Sequence, residues 1–137
     1  MTHDALRTKI KGNIVLPTDE GYNDALKRWS VNSQRKAGVI VFVRDTNDVS
    51  EALKYAKAEK LDVAVRGGGH HESGVSSSDG GLVIDLSRYL NDVKIDPKQS
   101  LALVGGGALG GTLDKAAIEH GLAAVTAAVN HVSLHFC

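Results

Sequence analysis

The residues best suited to chemistry stand in one glycine-rich stretch, Arg66 to Gly74, which reads RGGGHHESG. Three consecutive glycines, Gly67 to Gly69, allow the backbone N–H groups to turn into one concavity that suits phosphate oxygens. The Gly-Lys-Ser/Thr end of a P-loop is absent, and Glu72 occupies the place of the last glycine in the Rossmann pattern. The spacing alone leaves two interpretations open, a phosphate-binding loop and a plain tight turn.

A second glycine cluster, Gly105 to Gly110, does match GxGxxG between a predicted strand and a predicted helix. A dinucleotide site of that kind needs an acidic residue about 20 positions later, and no Asp or Glu follows Glu119. We therefore interpret the cluster as a strand-to-helix turn that closes on the first glycine loop. Eleven of the fifteen glycines fall between Gly67 and Gly111, which indicates that something binds against the backbone there.

Two other kinds of site find little support in the same region. His70 and His71 have acidic neighbours, but adjacent side chains diverge and no His pair at i, i+4 accompanies them. The polar turn at Ser76 to Ser78 lacks the nucleophile elbow of a serine hydrolase. We therefore predict no metal site and no serine triad, and histidines exposed on a loop remain the simpler alternative to metal ligands.

A strand–helix–strand unit is predicted directly before the first glycine loop. Val39 to Val43 is a continuous apolar, β-branched run, which is typical of a strand buried on both faces. Thr46 or Asp48 is expected to cap a helix with one apolar face, formed by Val49, Ala52, Leu53 and Ala56. Leu61 to Arg66 is then a short strand, and the two strands are expected to be parallel with a right-handed crossover.

The remaining strands follow the first glycine loop. They are predicted at Leu82–Leu86, Val93–Ile95 and Leu101–Val104. The fold class that results is α+β, in which a small parallel βαβ sheet flanked by helices leads into a second, antiparallel sheet.

Two further helices are predicted at the ends of the chain. The first places Tyr22 and Trp29 on one apolar face, with its N-cap in Thr18 to Glu20. The second runs from Leu113 to His120 and ends at Gly121, a left-handed C-cap.

Composition excludes several classes of function. The 137 residues carry 16 Lys plus Arg against 16 Asp plus Glu, so the basic stripe of a nucleic-acid-binding protein is not expected. No apolar run approaches the roughly 20 residues that cross a bilayer, and residues 1–11 lack a signal-peptide core. The sequence as written is therefore expected to be cytoplasmic, without a membrane partner. The single cysteine, Cys137, excludes an internal disulfide.

Taken together, these residues resemble the FAD-binding domain of the p-cresol methylhydroxylase and vanillyl-alcohol oxidase family, most closely the berberine-bridge-enzyme-like oxidases. The segments that carry the resemblance are Asp62–His70, Asp79–Ser87, Val104–Ala108 and Glu119–Ala123. Similarity extends over about residues 12–131, nearly the whole chain.

The resemblance implies a definite cofactor site. In such proteins the glycine loop wraps the FAD pyrophosphate, and the histidine that closes the loop is bonded through a ring nitrogen to the flavin 8α-methyl carbon. That position is His70 in this sequence, whereas His71 stands where the family more often has a small polar residue. The cofactor-binding residues expected from the resemblance are Arg66, Gly67, Gly68, Gly69, His70, His71 and Gly74.

The activity implied is that of an FAD-dependent oxidoreductase that oxidises a small organic substrate, with oxygen as the acceptor. Residues 1–137 are expected to form a single, incomplete FAD-binding domain, the N-terminal lobe of a flavin-binding oxidase. The catalytic residues are expected in a further C-terminal part, so this chain alone should be inactive. Cys137 does not lie in the motif that carries a second flavin link in some relatives, and it receives no role.

Two alternatives to this oxidase function are a non-catalytic remnant that binds no flavin and a noncovalent flavin reductase of the same fold.

Overall fold

The computed structural model describes residues 2–126 and 128–133, which form a four-stranded mixed sheet and a two-stranded antiparallel sheet with helices packed around them. In chain order the elements are α1 (His3–Arg7), β1 (Asn13–Val15), α2 (Tyr22–Leu26), a 3₁₀ turn (Val31–Ser33), β2 (Val39–Phe42), α3 (Thr46–Glu59), β3 (Val63–Arg66), β4 (Leu82–Asp85), β5 (Val93–Asp96), β6 (Leu101–Val104) and α4 (Gly110–Ile118).

The strand order of the larger sheet is β1-β2-β4-β3. Strands β2 and β3 are both parallel to β4, while β1 pairs with β2 in the antiparallel sense. Strands β5 and β6 form the second, antiparallel sheet. The predicted α+β class, with its βαβ unit and its second antiparallel sheet, is therefore confirmed. The sequence did not predict that β4 lies between the two strands of the βαβ unit.

The hydrophobic core lies on both faces of the larger sheet. Successive side chains of a strand point to opposite faces, so Val39 and Val41 join one cluster whereas Ile40 and Phe42 join the other. The first cluster packs against α1 and α3 and contains Leu6, Ile10, Ile14, Ala52, Tyr55, Ala56, Leu82 and Ile84. The second packs against α2 and contains Ala25, Ala37, Ala64 and Val83. The predicted double-sided burial of β2 is confirmed.

The start predicted for the helix that contains Tyr22 is wrong. Helix α2 begins at Tyr22 after Gly21, which has a left-handed φ of 84°, and it ends at Leu26. Asp19, expected near the cap, instead accepts hydrogen bonds from the Leu16 N–H and the Arg7 side chain, at 3.0 and 2.9 Å. Trp29 therefore lies beyond the helix, and 61% of its surface is exposed.

Helices α3 and α4 match the prediction more closely. Helix α3 is capped by Asp45, whose carboxylate accepts the Asp48 N–H at 3.0 Å, and neither Thr46 nor Asp48 is its N-cap. Leu53, expected on the buried face, is 46% exposed. Gly121 after α4 has a φ of 68°, as predicted, although the helix itself ends at Ile118.

Asp48 joins three segments of the fold through a fully buried carboxylate. It accepts hydrogen bonds from the backbone N–H groups of Lys11, Gly12 and Arg44, at 2.9, 3.0 and 2.9 Å. One side chain therefore links the residues just before β1 and just after β2 to the first turn of α3.

We expect Asp48→Asn to lower the free energy of unfolding by about 2 kcal/mol, because an amide has one accepting oxygen and its NH₂ group would face a backbone donor. Urea unfolding followed by circular dichroism measures the change. The exposed Asp92 provides the control, since Asp92→Asn should change stability by no more than about 0.5 kcal/mol. Equal stability of Asp48→Asn and Asp92→Asn would contradict the linking role of the Asp48 carboxylate.

Candidate functional site

The two glycine loops meet at the carboxyl end of the parallel strands, which is where open α/β sheets bind ligands. The first loop follows β3, and the second connects β6 to α4. A Cβ atom on Gly67 would stand 3.0 Å from the carbonyl oxygen of Gly106, and one on Gly107 would collide with the backbone of Leu86. Glycine is thus what permits this approach, and the predicted closure of the second loop on the first is confirmed.

A cavity of about 360 Å³ lies between the two loops, within the range usual for ligand pockets. Its lining residues are Arg66, Gly67, Gly68, Ser87, Asn91, Gly107, Leu109 and Thr112. Three of the predicted cofactor-binding residues are therefore among them. The polar side chains of Ser87, Asn91 and Thr112 were not predicted. Ser87 ends one of the segments that carry the family resemblance, whereas nothing in the sequence marks Asn91 or Thr112.

The backbone of the first loop has N–H donors that lack a hydrogen-bond partner among the described residues. In the part of the chain that the structure describes, no hydrogen bond uses the N–H groups of Gly67 to Gly69. Gly69 and Gly74 have left-handed φ angles of 67° and 83°, which favour glycine. Gly68 is required for a different reason, because a Cβ there would stand 2.9 Å from the backbone nitrogen of Ser133.

Arg66 is fixed at the wall of the cavity by a buried ion pair. Its Nη1 donates to Asp85 Oδ2 at 2.8 Å, and the carboxylate of Asp85 is fully buried. Asp85 Oδ1 also accepts the N–H and the hydroxyl of Ser87, at 2.9 and 2.6 Å. Arg66 Nε is buried and finds no hydrogen-bond partner among the described residues.

Arg28 is a buried cation behind the loop that sequence reasoning missed, since a lone arginine after a short helix carries no pattern. It is 7% exposed, and its guanidinium donates to the carbonyl oxygen of Ser76 at 2.8 Å. Burial, and to a lesser degree the charge of Arg66, lowers the pKa of Arg28 to about 10, while Asp85 acts in the opposite direction. Arg28 stays charged at neutral pH, so two arginines face one carboxylate behind the loop.

The two neighbouring histidines have different surroundings. The ring of His70 stacks on Trp29 with a centroid distance of 4.5 Å, and the tilted ring of His131 lies 4.7 Å away. His70 Nε2 is buried without a hydrogen-bond partner in residues 2–126 and 128–133. His71 is exposed, and its Nδ1 accepts the Ser73 N–H at 3.2 Å. The simple alternative of two exposed loop histidines is therefore wrong for His70.

Residues 2–126 and 128–133 hold no group of three His, Cys, Asp or Glu side chains that could bind a metal ion. None of their helices has the length and apolar character needed to cross a bilayer. Cys137 and His135 lie outside the described residues.

The family described as FAD binding domain matches residues 37–134, which include both glycine loops and all four strands from β3 to β6. The chain belongs to this family. It is an FAD-binding domain of the flavin-dependent oxidoreductases, with FAD as the cofactor, and the predicted resemblance to flavin-binding oxidases is confirmed.

Individual relatives of this FAD-binding domain agree with the assignment. (R)-6-hydroxynicotine oxidase of Paenarthrobacter nicotinovorans is 36% identical over 128 residues, which are 93% of the chain and 27% of the relative. An FAD-linked oxidoreductase of Aspergillus terreus is 35% identical and covers 96% of the chain and 28% of its own length. The crystal structure of 6-hydroxy-D-nicotine oxidase from Arthrobacter nicotinovorans superimposes with a TM-score of 0.88 at 35% identity, over 91% of this chain and 27% of that one. The chain thus spans about 27% of the length of the curated relatives that it matches.

The described residues fit the pyrophosphate of FAD on three counts. The cavity presents Arg66 and the unpaired backbone donors of Gly67 and Gly68. Arg28 adds a second positive charge behind the loop. Buried polar atoms without partners in the described part of the chain, including Arg66 Nε and His70 Nε2, lie in or next to the first loop. Such orphaned atoms are rare in folded proteins and indicate a missing partner.

Proposed function

We propose that this protein is an FAD-dependent oxidoreductase that holds the FAD pyrophosphate between its two glycine loops and carries the flavin on His70. The cavity between the loops is the observation that carries the proposal. Its unpaired backbone donors and the cation of Arg66 suit an anionic diphosphate, as they do in other nests of N–H groups. When bound, FAD supplies the two-electron oxidation of a substrate.

The residues proposed to hold the cofactor divide into three roles. Arg66 and the glycines Gly67 to Gly69 face the pyrophosphate, and Gly74 lets the loop turn away from it. Ser87, Asn91 and Thr112 add polar groups to the lining of the cavity. His71 belongs to the same loop, but it faces solvent and contributes to the loop turn through Ser73.

His70 is proposed as the attachment residue because its ring is held against other rings while its Nε2 has no partner among the described residues. His70 would hold the flavin through one bond from a ring nitrogen to the 8α-methyl carbon. Formation of this bond would release the N–H hydrogen and one methyl hydrogen as protons, with dioxygen as the two-electron oxidant. A neutral imidazole is a competent nucleophile for such a step.

The substrate is proposed to be a small organic molecule, with dioxygen as the electron acceptor. Oxidation requires the substrate to be held against the flavin and a base to be positioned for its proton. Because the chain corresponds to about 27% of its curated relatives, we propose that segments outside the matched part supply both. Residues 1–137 by themselves are then expected to show no turnover.

Gly68→Val tests the cavity as the cofactor site. A Cβ at this position would meet the backbone nitrogen of Ser133 and the side chain of Leu109, at 2.9 and 3.0 Å. The strain of about 1 kcal/mol or more should lower the flavin-to-protein ratio of the purified protein roughly fivefold. Flavin absorbance relative to protein measures the ratio.

The control for a general loss of stability is Gly121→Ala. Gly121 also has a left-handed φ, but it lies after α4 and a Cβ there would meet open space. This variant should be strained yet keep its flavin. Undiminished flavin in folded Gly68→Val would show that the loop is an ordinary turn.

A further inference from the structure

The segment Arg28–Trp29 holds the loop that carries His70 at two points. The backbone N–H of Trp29 donates to the carbonyl oxygen of Gly69 at 3.1 Å. The guanidinium of Arg28 donates to the carbonyl oxygen of Ser76 from two nitrogens, at 2.8 and 3.2 Å. Since a run of glycines restricts its own backbone very little, these external bonds help to fix residues 69–76.

Trp29 also contacts His70 directly through its ring. The two rings stack with a centroid distance of 4.5 Å and an interplanar angle of 21°. Aromatic pairs at such a distance attract each other beyond the area they bury. The indole is 61% exposed, so its contact with His70 is not a consequence of burial in the core. Stacking on one face therefore limits the rotation of the imidazole.

A bond to the flavin forms only when the imidazole is held in the reactive orientation. We infer that Trp29 is a positioning residue that holds the His70 ring ready for flavin attachment. The inference rests on the proposed attachment at His70. Trp29 acts through His70 in this arrangement and takes no part in bond formation itself.

The first test needs no flavin. In protein made from its full coding sequence in riboflavin-limited cells, the ring protons of His70 should show an upfield ring-current shift in the NMR spectrum. His70→Gln assigns those resonances. Trp29→Ala should remove the shift, Trp29→Phe should keep part of it, and Val31→Ala, which removes an exposed neighbour, should leave it unchanged.

The second test follows attachment after FAD is added to the same flavin-free proteins. Trp29→Ala should slow the appearance of flavin that survives denaturation by about tenfold or more, because a misplaced reacting group costs that much. Noncovalent FAD, measured before denaturation, should change far less. Trp29→Phe should restore most of the attachment rate, and Val31→Ala should match the wild-type protein.

The outcomes separate this inference from the proposed function. Wild-type attachment rates in Trp29→Ala, with attachment still lost in His70→Gln, would overturn the role of Trp29 and leave the proposed function standing. Attached flavin in His70→Gln, or none in the wild-type protein, would overturn the attachment proposal and the role of Trp29 with it. An unchanged NMR shift in Trp29→Ala would show that the rings do not stack.

Discussion

Replacing His70 by alanine is expected to remove all flavin that stays with the protein on a denaturing gel, whereas His71→Ala is expected to retain it. The reason lies in the different surroundings of the two rings. His70 stacks on Trp29 and lies next to the His131 ring, and it has a buried nitrogen that lacks a partner in the described residues. His71 is exposed and bonded within its own turn. Flavin fluorescence of the gel, before protein staining, measures the result.

The same gel, together with the colour of the protein before denaturation, distinguishes the competing functions. His71→Ala is the matched control, because it removes the same side chain from the adjacent position of the same loop. Fluorescence that is lost in His71→Ala and kept in His70→Ala would reverse the assignment. Flavin that leaves the wild-type protein on denaturation would favour a noncovalent flavin reductase. A protein that is colourless before denaturation would favour a remnant that binds no flavin.

The strands were predictable because each has a local signature. Val39 to Val43 is apolar at every position, which is typical of a strand covered on both faces. Strand β2 is indeed buried throughout. The position of β4 between β2 and β3 was not predictable, because strand order depends on pairing between residues far apart in the chain. Leu82 to Asp85 is as fully buried as β2, which agrees with a central strand but does not by itself select its neighbours.

The parts of the candidate site that consist of glycines were predictable from the sequence. Gly67, Gly68 and the second glycine loop were found because glycine marks close approach of backbone, and the structure brings these loops together around one cavity. Arg28 and Trp29 were missed as parts of the site. Trp29 was assigned to a helix face by its spacing, yet the helix ends at Leu26 and the next residues cross to the histidine loop. Only the tertiary structure makes that contact visible.

Asp85 illustrates how strand register creates a site. Parallel pairing of β3 and β4 sets Arg66 opposite Asp85 at the carboxyl ends of both strands. Their ion pair is 2.8 Å long, with the carboxylate fully buried and the arginine side chain 17% exposed. The sequence predicted Arg66 as a cofactor-binding residue, but its partner stands 19 positions away, at the end of a separate strand.

We expect Asp85→Ala to destabilise the protein by about 3–5 kcal/mol, because removal of one partner leaves the other charge buried and unpaired. The change also removes the acceptor of the Ser87 N–H and hydroxyl, so two residues that line the cavity, Arg66 and Ser87, lose their hydrogen-bond partner. Flavin content should therefore fall together with stability. Urea unfolding gives the first quantity, and flavin absorbance relative to protein gives the second.

Two further variants make this expectation specific to the ion pair. Asp79→Ala removes a carboxylate that is exposed, and it should change stability by no more than about 0.5 kcal/mol. Adding Arg66→Met to Asp85→Ala removes the unpaired charge, so the double variant should recover part of the lost stability even though it still lacks the pair. Its flavin content should stay low, because Arg66 is then absent from the cavity wall. If Asp85→Ala were as stable as Asp79→Ala, the buried pair would not hold Arg66 in place.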